Sequence, residues 1–486
     1  MNNTASQINR VSDHFQLGKC QAELDFVDIP IDADIQLFCD PFAFVVEKDP
    51  WFEECNSLVY GFFSRLIDCI RGGHDDEAMR MLSHIGEANE VHLGFSRGKP
   101  AGLGIGPEKA AQLLERMKQS KAVKTGKLYD LADCDLFIPG IGPDNISDMT
   151  INIIREKLLE YTAIQCKQLG ILTSRVQGGY RWDPDLQNWA NRYADMPVAN
   201  GKRILFIPKA AVRYHLSLEH TKYYEHYVLN FLRAEHLVAG SALVELLKNG
   251  KQRVTKKSLK EEYPLDKNFL FEFSDQHPEV LDYYKDEARK SSSTLTDESI
   301  EEVQRQSKSI DIDALINKLR STPGGMAAAG AFHKTIMGAL EAIFYPQLRN
   351  FVIEQEINEG RKRIDILANN SQSGGFFGDL NNLHHVLCPY IFIECKNYTS
   401  DLGNPEYDQL AMRFTDKRGQ FGLLVCRSIA DKDKMIQTCR DIASGGHGLI
   451  VVLDDADIVQ MLEYRKAQAY DHISNHMHEK LREILL

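Results

Sequence analysis

Charged side chains interrupt two short apolar runs towards the C-terminus of the chain. Asp365 lies within the run 364–367, and Glu394 and Lys396 end a run of β-branched and aromatic residues. Residues two apart on a β-strand share a face, so Glu394 and Lys396 should project together while Cys395 points away. Charged groups are costly to place in a buried strand, and we therefore expect these residues to serve chemistry.

The chemistry that these residue types favour is metal-dependent hydrolysis of a phosphodiester. If the two strands pair, the carboxylates of Asp365 and Glu394 meet, and they repel each other unless a cation lies between them. Mg2+ prefers oxygen ligands of this kind. The predicted metal positions are Asp365, Glu394 and the adjacent Cys395, with Mn2+ as a substitute. Lys396 would then orient the attacking water. The alternative interpretation is an ordinary buried ion pair within a sheet.

With their surrounding elements, residues 325–460 resemble the PD-(D/E)xK, or restriction-endonuclease-like, nuclease superfamily. The pattern predicts a helix over 327–344, a hairpin of strands, a third strand, a helix over 405–414 and two further apolar strands. The resemblance implies an α/β (α+β) core with a central mixed sheet flanked by helices. It also implies supporting catalytic roles for Glu341 in the first helix and Gln409 in the later one.

A basic turn formed by Arg361, Lys362 and Arg363 leads into the strand of Asp365. These three side chains are the predicted contacts to the DNA phosphate backbone, and Arg363 shares the face of Asp365 by period-two counting. The alternative is a charged turn that keeps the hairpin soluble. The Asn-, Ser- and Gly-rich tract 369–375 beyond the strand predicts a flexible loop.

Length and composition indicate a globular protein of several domains. At 486 residues, with 43% hydrophobic and 26% charged residues, the chain predicts two or three domains. The N-terminus is polar and no run is long enough to cross a bilayer, so no membrane association is expected. The 10 cysteines include no Cys-x-x-Cys pair, which predicts reduced thiols and a cytoplasmic location.

The charge balance argues against a free-standing nucleic-acid binder. The 57 basic and 69 acidic residues give a formal charge of −12, so nonspecific affinity for DNA should be weak. A local basic patch, or a groove formed by a homo-oligomer, could still hold DNA. The acidic balance also suits an enzyme that stays quiescent until a protein or phage-derived activator arrives.

The sequence predicts three regions. Residues 1–210 form an N-terminal α/β region of unassigned role, 211–310 a helical region with a charged linker, and 320–486 the nuclease-like domain. The Ser- and charge-rich segment 285–308 has the composition of a solvated connector or partly helical hinge.

The leading functional prediction is a Mg2+-dependent endodeoxyribonuclease of bacterial restriction or antiviral defence, controlled by its N-terminal region. Two alternatives remain open. One is a nuclease-like protein that has lost activity and serves as a binding or regulatory module. The other keeps the hydrolysis but acts on RNA or on a branched DNA joint.

Overall fold

The structure is a computed structural model, and it describes residues 9–94, 107–247, 249, 251–292, 294–303, 311–357, 362–372, 374–398 and 400–486. Helices and strands together form a mixed α/β architecture. The predicted fold class is therefore confirmed at this level.

Residues 9–303 are mainly helical. Their α-helices are Val11–His14, Pro41–Val46, Pro50–Arg71, Asp75–Leu82, Pro107–Gln119, Lys121–Thr125, Cys134–Phe137, Pro143–Ile153, Arg155–Leu169, His220–Tyr223, Leu229–Ala239, Lys256–Glu262, Lys267–Gln276, Pro278–Ser291 and Asp297–Val303. Their strands form small antiparallel sheets, which are Phe38–Cys39 with Val212–Arg213, then Thr173–Asp183 with Asn188–Ala199 and Lys202–Arg203, and Glu245–Leu246 with Gln252–Arg253.

The helix Pro50–Arg71 shows how local sequence sets these elements. Asp49 caps its first turn by accepting hydrogen bonds from the N–H groups of Trp51 and Phe52, at 3.1 and 3.4 Å. Proline at the first helical position and arginine in the last turn suit the two ends of a helix. Its apolar residues recur at helical spacing and bury one face, which leaves the other face at the surface.

One hydrophobic core extends from Val11 to Ile300. The segments on either side of residue 210, expected as separate regions, therefore pack together. A second core consists of Ala22 and of residues from Ile312 to Ile484, and it encloses the central sheet of the C-terminal region.

The C-terminal region alternates strands and helices. Its elements in chain order are α1 (Ile312–Ser321), α2 (Ala329–Phe344), β1 (Leu348–Ile357), β2 (Lys362–Asn370), α3 (Gly375–Asn382), β3 (Tyr390–Lys396), α4 (Asn404–Ala411), β4 (Phe421–Cys426), α5 (Lys432–Ser444), β5 (Leu449–Leu453), α6 (Asp455–Lys466) and α7 (Tyr470–Leu485). The helices and strands predicted between 327 and 453 are confirmed, with shifts of a few residues at their ends.

The five strands form one mixed sheet in the order β5-β4-β3-β2-β1. β1, β2 and β3 are antiparallel neighbours, whereas β3, β4 and β5 run parallel. β4 and β5 are buried along their whole length, as expected for apolar strands covered on both faces. Helix α2 packs against β1, β2 and β3, and α4 packs against β3, β4 and β5.

The expectation of a flexible loop over 369–375 is wrong for residues 369–371. Asn369, Asn370 and Ser371 are buried, and β2 continues to Asn370. The side-chain amide of Asn370 donates hydrogen bonds to the carbonyl oxygens of Phe377 and Cys388, at 3.1 and 3.0 Å. The polar side chain thus satisfies buried backbone groups, and α3 follows directly.

The segment 285–308 is partly helical where it is described, as one of its two expectations had it, but the expected solvation does not hold around residue 297. Asp297 and Ile300 are buried, and Asp297 Oδ1 lies 2.7 Å from Lys209 Nζ. Its other oxygen lies 3.3 Å from Arg465 Nη2 in α6. Asp297 therefore belongs to a buried ion-pair network that joins residues 9–303 to the C-terminal region.

Within the described ranges, no helix is both long enough and apolar enough to span a membrane.

Candidate functional site

The candidate site lies where β2 and β3 separate. Their antiparallel pairing ends at Ile366 and Ile393, one residue short of Asp365 and Glu394. Asp365 Oδ2 instead accepts a hydrogen bond from the N–H of Cys395, at 2.9 Å. The opening of the ladder therefore turns two carboxylates towards each other at the end of a buried strand.

Glu394, Lys396 and Gln409 form one hydrogen-bonded group. Lys396 Nζ donates to Gln409 Oε1 at 3.1 Å and lies 3.5 Å from Glu394 Oε2. Gln409 Nε2 donates to the same oxygen of Glu394 at 3.3 Å. The glutamine thus holds the lysine and the glutamate in place, and the structure brings together Asp365, Glu394, Lys396 and Gln409.

The two carboxylates influence each other strongly. Burial, followed by the negative charge of Asp365, raises the pKa of Glu394 to about 7, although Lys396 and Arg413 oppose the shift. Oε1 of Glu394 is buried and accepts no hydrogen bond within the described residues. A cation placed between the carboxylates would favour their ionised forms.

Two side chains of the site were not predicted. His333 in α2 has its Nε2 3.3 Å from the carbonyl oxygen of Cys395 and 3.8 Å from Asp365 Oδ2. Arg413, buried just after α4, has its Nε 3.6 Å from Glu394 Oε1. Arg413 follows Gln409 by four residues, a spacing that places neighbours on one helix face and could have signalled it.

Cys395 does not offer its thiol to this site. Its side chain is buried in the hydrophobic core, and burial raises the pKa of the thiol well above its usual value. The prediction of Cys395 as a metal position therefore fails for the sulfur. Its backbone lies at the site instead, with the carbonyl oxygen within reach of His333 and the N–H donating to Asp365.

Glu341 is far from this group, and the prediction that it supports the site is wrong. It lies eight residues after His333 along α2, which corresponds to a rise of about 12 Å. The charges that act on Glu341 are those of Lys19, Asp25 and Lys209 in the N-terminal region. The early part of α2 places His333 at the site, whereas Glu341, in its last turns, faces charges of the N-terminal region.

The position of Glu341 gives a pH prediction for stability. Burial raises the pKa of Glu341 from 4.5 to about 8, so the folded protein holds this proton more tightly than the unfolded chain does. The free energy of unfolding of the wild-type protein should therefore fall as the pH rises from 4.5 towards about 8. Glutamine mimics the protonated acid, and Glu341→Gln should gain in unfolding midpoint relative to wild type across that range. Thermal unfolding at pH 5 and pH 8.5 checks this, and an equal difference at both would contradict it.

The predicted phosphate contacts lie at the margin of the described chain. Arg361 lies outside the described residues. Lys362 and Arg363 belong to β2, paired with Ile357 and Glu356, but their side chains lie outside the description. The basic turn therefore stays a prediction.

The donor set fits a hard divalent cation. Asp365, Glu394 and the carbonyl oxygen of Cys395 supply oxygen ligands only, and Mg2+ commonly takes one or two carboxylates plus water and substrate oxygens. Two observations favour a cation here: Oε1 of Glu394 accepts no hydrogen bond within the described residues, and the pKa of this residue is raised by the nearby carboxylate. Among the described ranges no three His, Cys, Asp or Glu side chains are already grouped as a metal cage. Water and substrate would have to complete the coordination.

Comparison with known proteins concerns mainly the other region. A family profile described as a domain of unknown function (DUF8370) matches residues 16–219, so this segment is similar to that family. No curated protein and no solved structure matches the chain. The matched segment ends before the five-stranded sheet begins and does not include the candidate site.

Proposed function

We propose that the protein is a Mg2+-dependent endodeoxyribonuclease with a restriction-endonuclease-like C-terminal domain. The observation that carries the proposal is the grouping of Asp365, Glu394, Lys396 and Gln409 where β2 and β3 separate. An acid on one strand and an acid-x-lysine on its neighbour, preceded and followed by helices, is the arrangement that the nuclease superfamily resemblance predicts. Bacterial restriction or antiviral defence is the proposed setting, and residues 9–303 are the proposed sensor or regulator.

The residues of the site can take separate roles in phosphodiester hydrolysis. Lys396 is mostly buried and uses one donor on Gln409, so its ammonium has further protons for a water molecule or a phosphate oxygen. Gln409 fixes Lys396 beside Glu394. His333 and the Cys395 N–H hold the Asp365 carboxylate at the strand opening.

A Mg2+ ion held by Asp365, Glu394 and the Cys395 carbonyl oxygen would supply Lewis-acid stabilisation of the charge that develops on the phosphate. Arg413 would limit the negative charge around Glu394. Because the formal charge of the whole chain is −12, we expect DNA to be held locally, by the turn before β2 or by assembly of copies, rather than by the protein surface at large.

The test is cleavage of supercoiled plasmid by purified protein with Mg2+, Mn2+ or EDTA, beside the variant Lys396→Ala. We expect metal-dependent nicking or linearisation by wild type and its loss in the variant, because no other described lysine contacts Glu394. Lys432→Ala, which removes an exposed lysine paired with Glu483, is the matched control and should cleave normally.

The same assay separates the alternatives. Equal cleavage by wild type and Lys396→Ala would refute the assigned site. Cleavage of single-stranded RNA or of a four-way DNA junction, but not of plasmid, would keep the site and change the substrate. Failure on all three substrates would favour the inactive binding protein.

A further inference from the structure

The end of strand β3 loses one of its two neighbouring strands. Its pairing with β2 ends at Ile393, whereas its pairing with β4 continues to Lys396. Within the described ranges, residues 394–396 therefore have a hydrogen-bonded strand on one side only. A displacement of about 1 Å can cost an enzyme about a hundredfold in rate. Other contacts therefore have to fix this end of β3 if its side chains act in catalysis.

Two side chains take the place of the missing strand at Cys395. Its N–H donates to Asp365 Oδ2 at 2.9 Å, and its carbonyl oxygen lies 3.3 Å from Nε2 of His333. The carboxylate comes from β2 and the imidazole comes from α2. The arrangement of the candidate site therefore depends on where α2 lies, as well as on β2.

Asn397 follows Lys396 and connects the end of β3 to the start of α2. Its side-chain amide donates to the carbonyl oxygens of Pro323 and Gly325, at 2.9 and 2.8 Å. In return, the N–H of Gly325 donates to the carbonyl oxygen of Asn397 at 2.7 Å. The turn Met326–Ala328 comes next and leads directly into α2. Asn397 is 3% exposed, so these three hydrogen bonds lie at the edge of the core.

The side chains of Lys396 and Asn397 leave the strand end in opposite directions. Consecutive residues of a strand point to opposite faces of the sheet. Lys396 accordingly reaches Gln409 in α4, whereas Asn397 reaches the loop before α2. The end of β3 is therefore held between two elements, one on each side.

An asparagine suits this place because its amide nitrogen carries two protons, one for each carbonyl oxygen of the loop. Serine would supply one donor and alanine none. Without these donors, the carbonyl oxygens of Pro323 and Gly325 would turn to water, and the loop would no longer be tied to the strand by a side chain.

We propose that Asn397 is a positioning residue of the candidate site. By binding the loop 323–325, it holds the end of β3 against the start of α2, so that Lys396 and His333 keep their places beside Glu394 and Asp365. Asn397 itself touches neither metal nor substrate. The effect on catalysis rests on the proposed nuclease function, whereas the connection between β3 and α2 does not.

The test compares Asn397→Ala with a matched control, Asn370→Ala. Asn370 is also a buried asparagine of this sheet, 0% exposed, whose amide donates to two backbone carbonyl oxygens. It lies five residues after Asp365 along β2, a distance of about 16 Å. Both variants should lower the urea midpoint, so a loss of stability alone does not distinguish them. Asn397→Ser, which keeps one donor, replaces Asn397→Ala in both measurements if the alanine variant does not fold.

The first measurement is hydrogen exchange followed by mass spectrometry, in EDTA and without DNA. We expect faster exchange over residues 326–333 in Asn397→Ala than in wild type, because the loop before α2 has lost its tie. Asn370→Ala should instead speed exchange over residues 376–388. Unchanged exchange over 326–333 in Asn397→Ala would refute the connection between β3 and α2, whether or not the protein is a nuclease.

The second measurement is DNA cleavage with Mg2+, analysed as kcat and KM. Asn397→Ala should lower kcat about tenfold or more with little change in KM, because misplaced groups slow turnover without removing contacts to DNA. Asn370→Ala should keep the wild-type kcat. An equal loss of kcat in both variants, or a wild-type kcat in Asn397→Ala, would overturn the positioning role. Failure of wild type itself to cleave would refute the proposed nuclease, and the exchange measurement would still decide the connection.

Discussion

Glutamine at Glu394 is expected to abolish metal-dependent cleavage by this protein and to weaken its binding of Mn2+ or Mg2+. The substitution keeps the volume of the side chain and one acceptor oxygen for Gln409 or Arg413, but it removes the charge that faces Asp365. A neutral amide is a poor ligand for a hard cation, and loss of electrostatic stabilisation of this kind costs at least about a hundredfold in rate. Isothermal titration calorimetry with Mn2+, beside plasmid cleavage, measures both effects.

Two further variants make the result specific. Lys396→Ala should bind Mn2+ as wild type does and yet fail to cleave, because the lysine acts on water or phosphate rather than on the metal. Glu479→Gln, at an exposed position of α7, should change neither property. Wild-type Mn2+ affinity in Glu394→Gln would refute the assignment of this residue to the metal.

Alanine at Asp297 should destabilise the whole protein more than any change at its surface. Asp297 is 1% exposed and is shared by Lys209, also 1% exposed, and by Arg465. Removing it leaves buried positive charge without its main partner, which costs about 3–5 kcal/mol in the free energy of unfolding. Urea unfolding followed by circular dichroism should show the lower midpoint.

The control is Asp313→Ala, which breaks an exposed ion pair with Lys466, the neighbour of Arg465 in sequence. Because both of its side chains are solvated, the midpoint should change little. The double variant Lys209→Met with Asp297→Leu should recover part of the loss, since it removes both members of the buried pair. Equal midpoints for wild type and Asp297→Ala would show that the ion pair contributes nothing.

Local patterns were sufficient to predict the parts of the site that depend on neighbouring residues. The period of two in β3 placed Glu394 and Lys396 on one face, and apolar runs located β3, β4 and β5. The meeting of Asp365 with Glu394 was made conditional on the pairing of β2 with β3, and that pairing is present.

The errors arose where a residue's partners are distant in sequence. Glu341 was assigned to the site by resemblance, but the charges that shift its pKa come from the N-terminal region, from Lys19, Asp25, Lys209 and Glu23. Asp297 lies in a segment of polar composition, and its carboxylate is stable when buried only because Lys209 and Arg465 pair with it. Composition reports how a segment would behave in water, and it carries no information about charges brought from elsewhere in the chain.

The edge strand β1 is covered by the N-terminal region. Its Asn350 N–H donates to Asp25 at 2.9 Å, and its Phe351 carbonyl oxygen accepts from Gln168. A fragment that begins near residue 310 would expose these backbone groups together with an apolar surface, and exposed strand edges recruit other copies into aggregates. The sheet is therefore a poor module for transfer to another protein by gene fusion, and its gene segment should be inherited together with the segment that covers it.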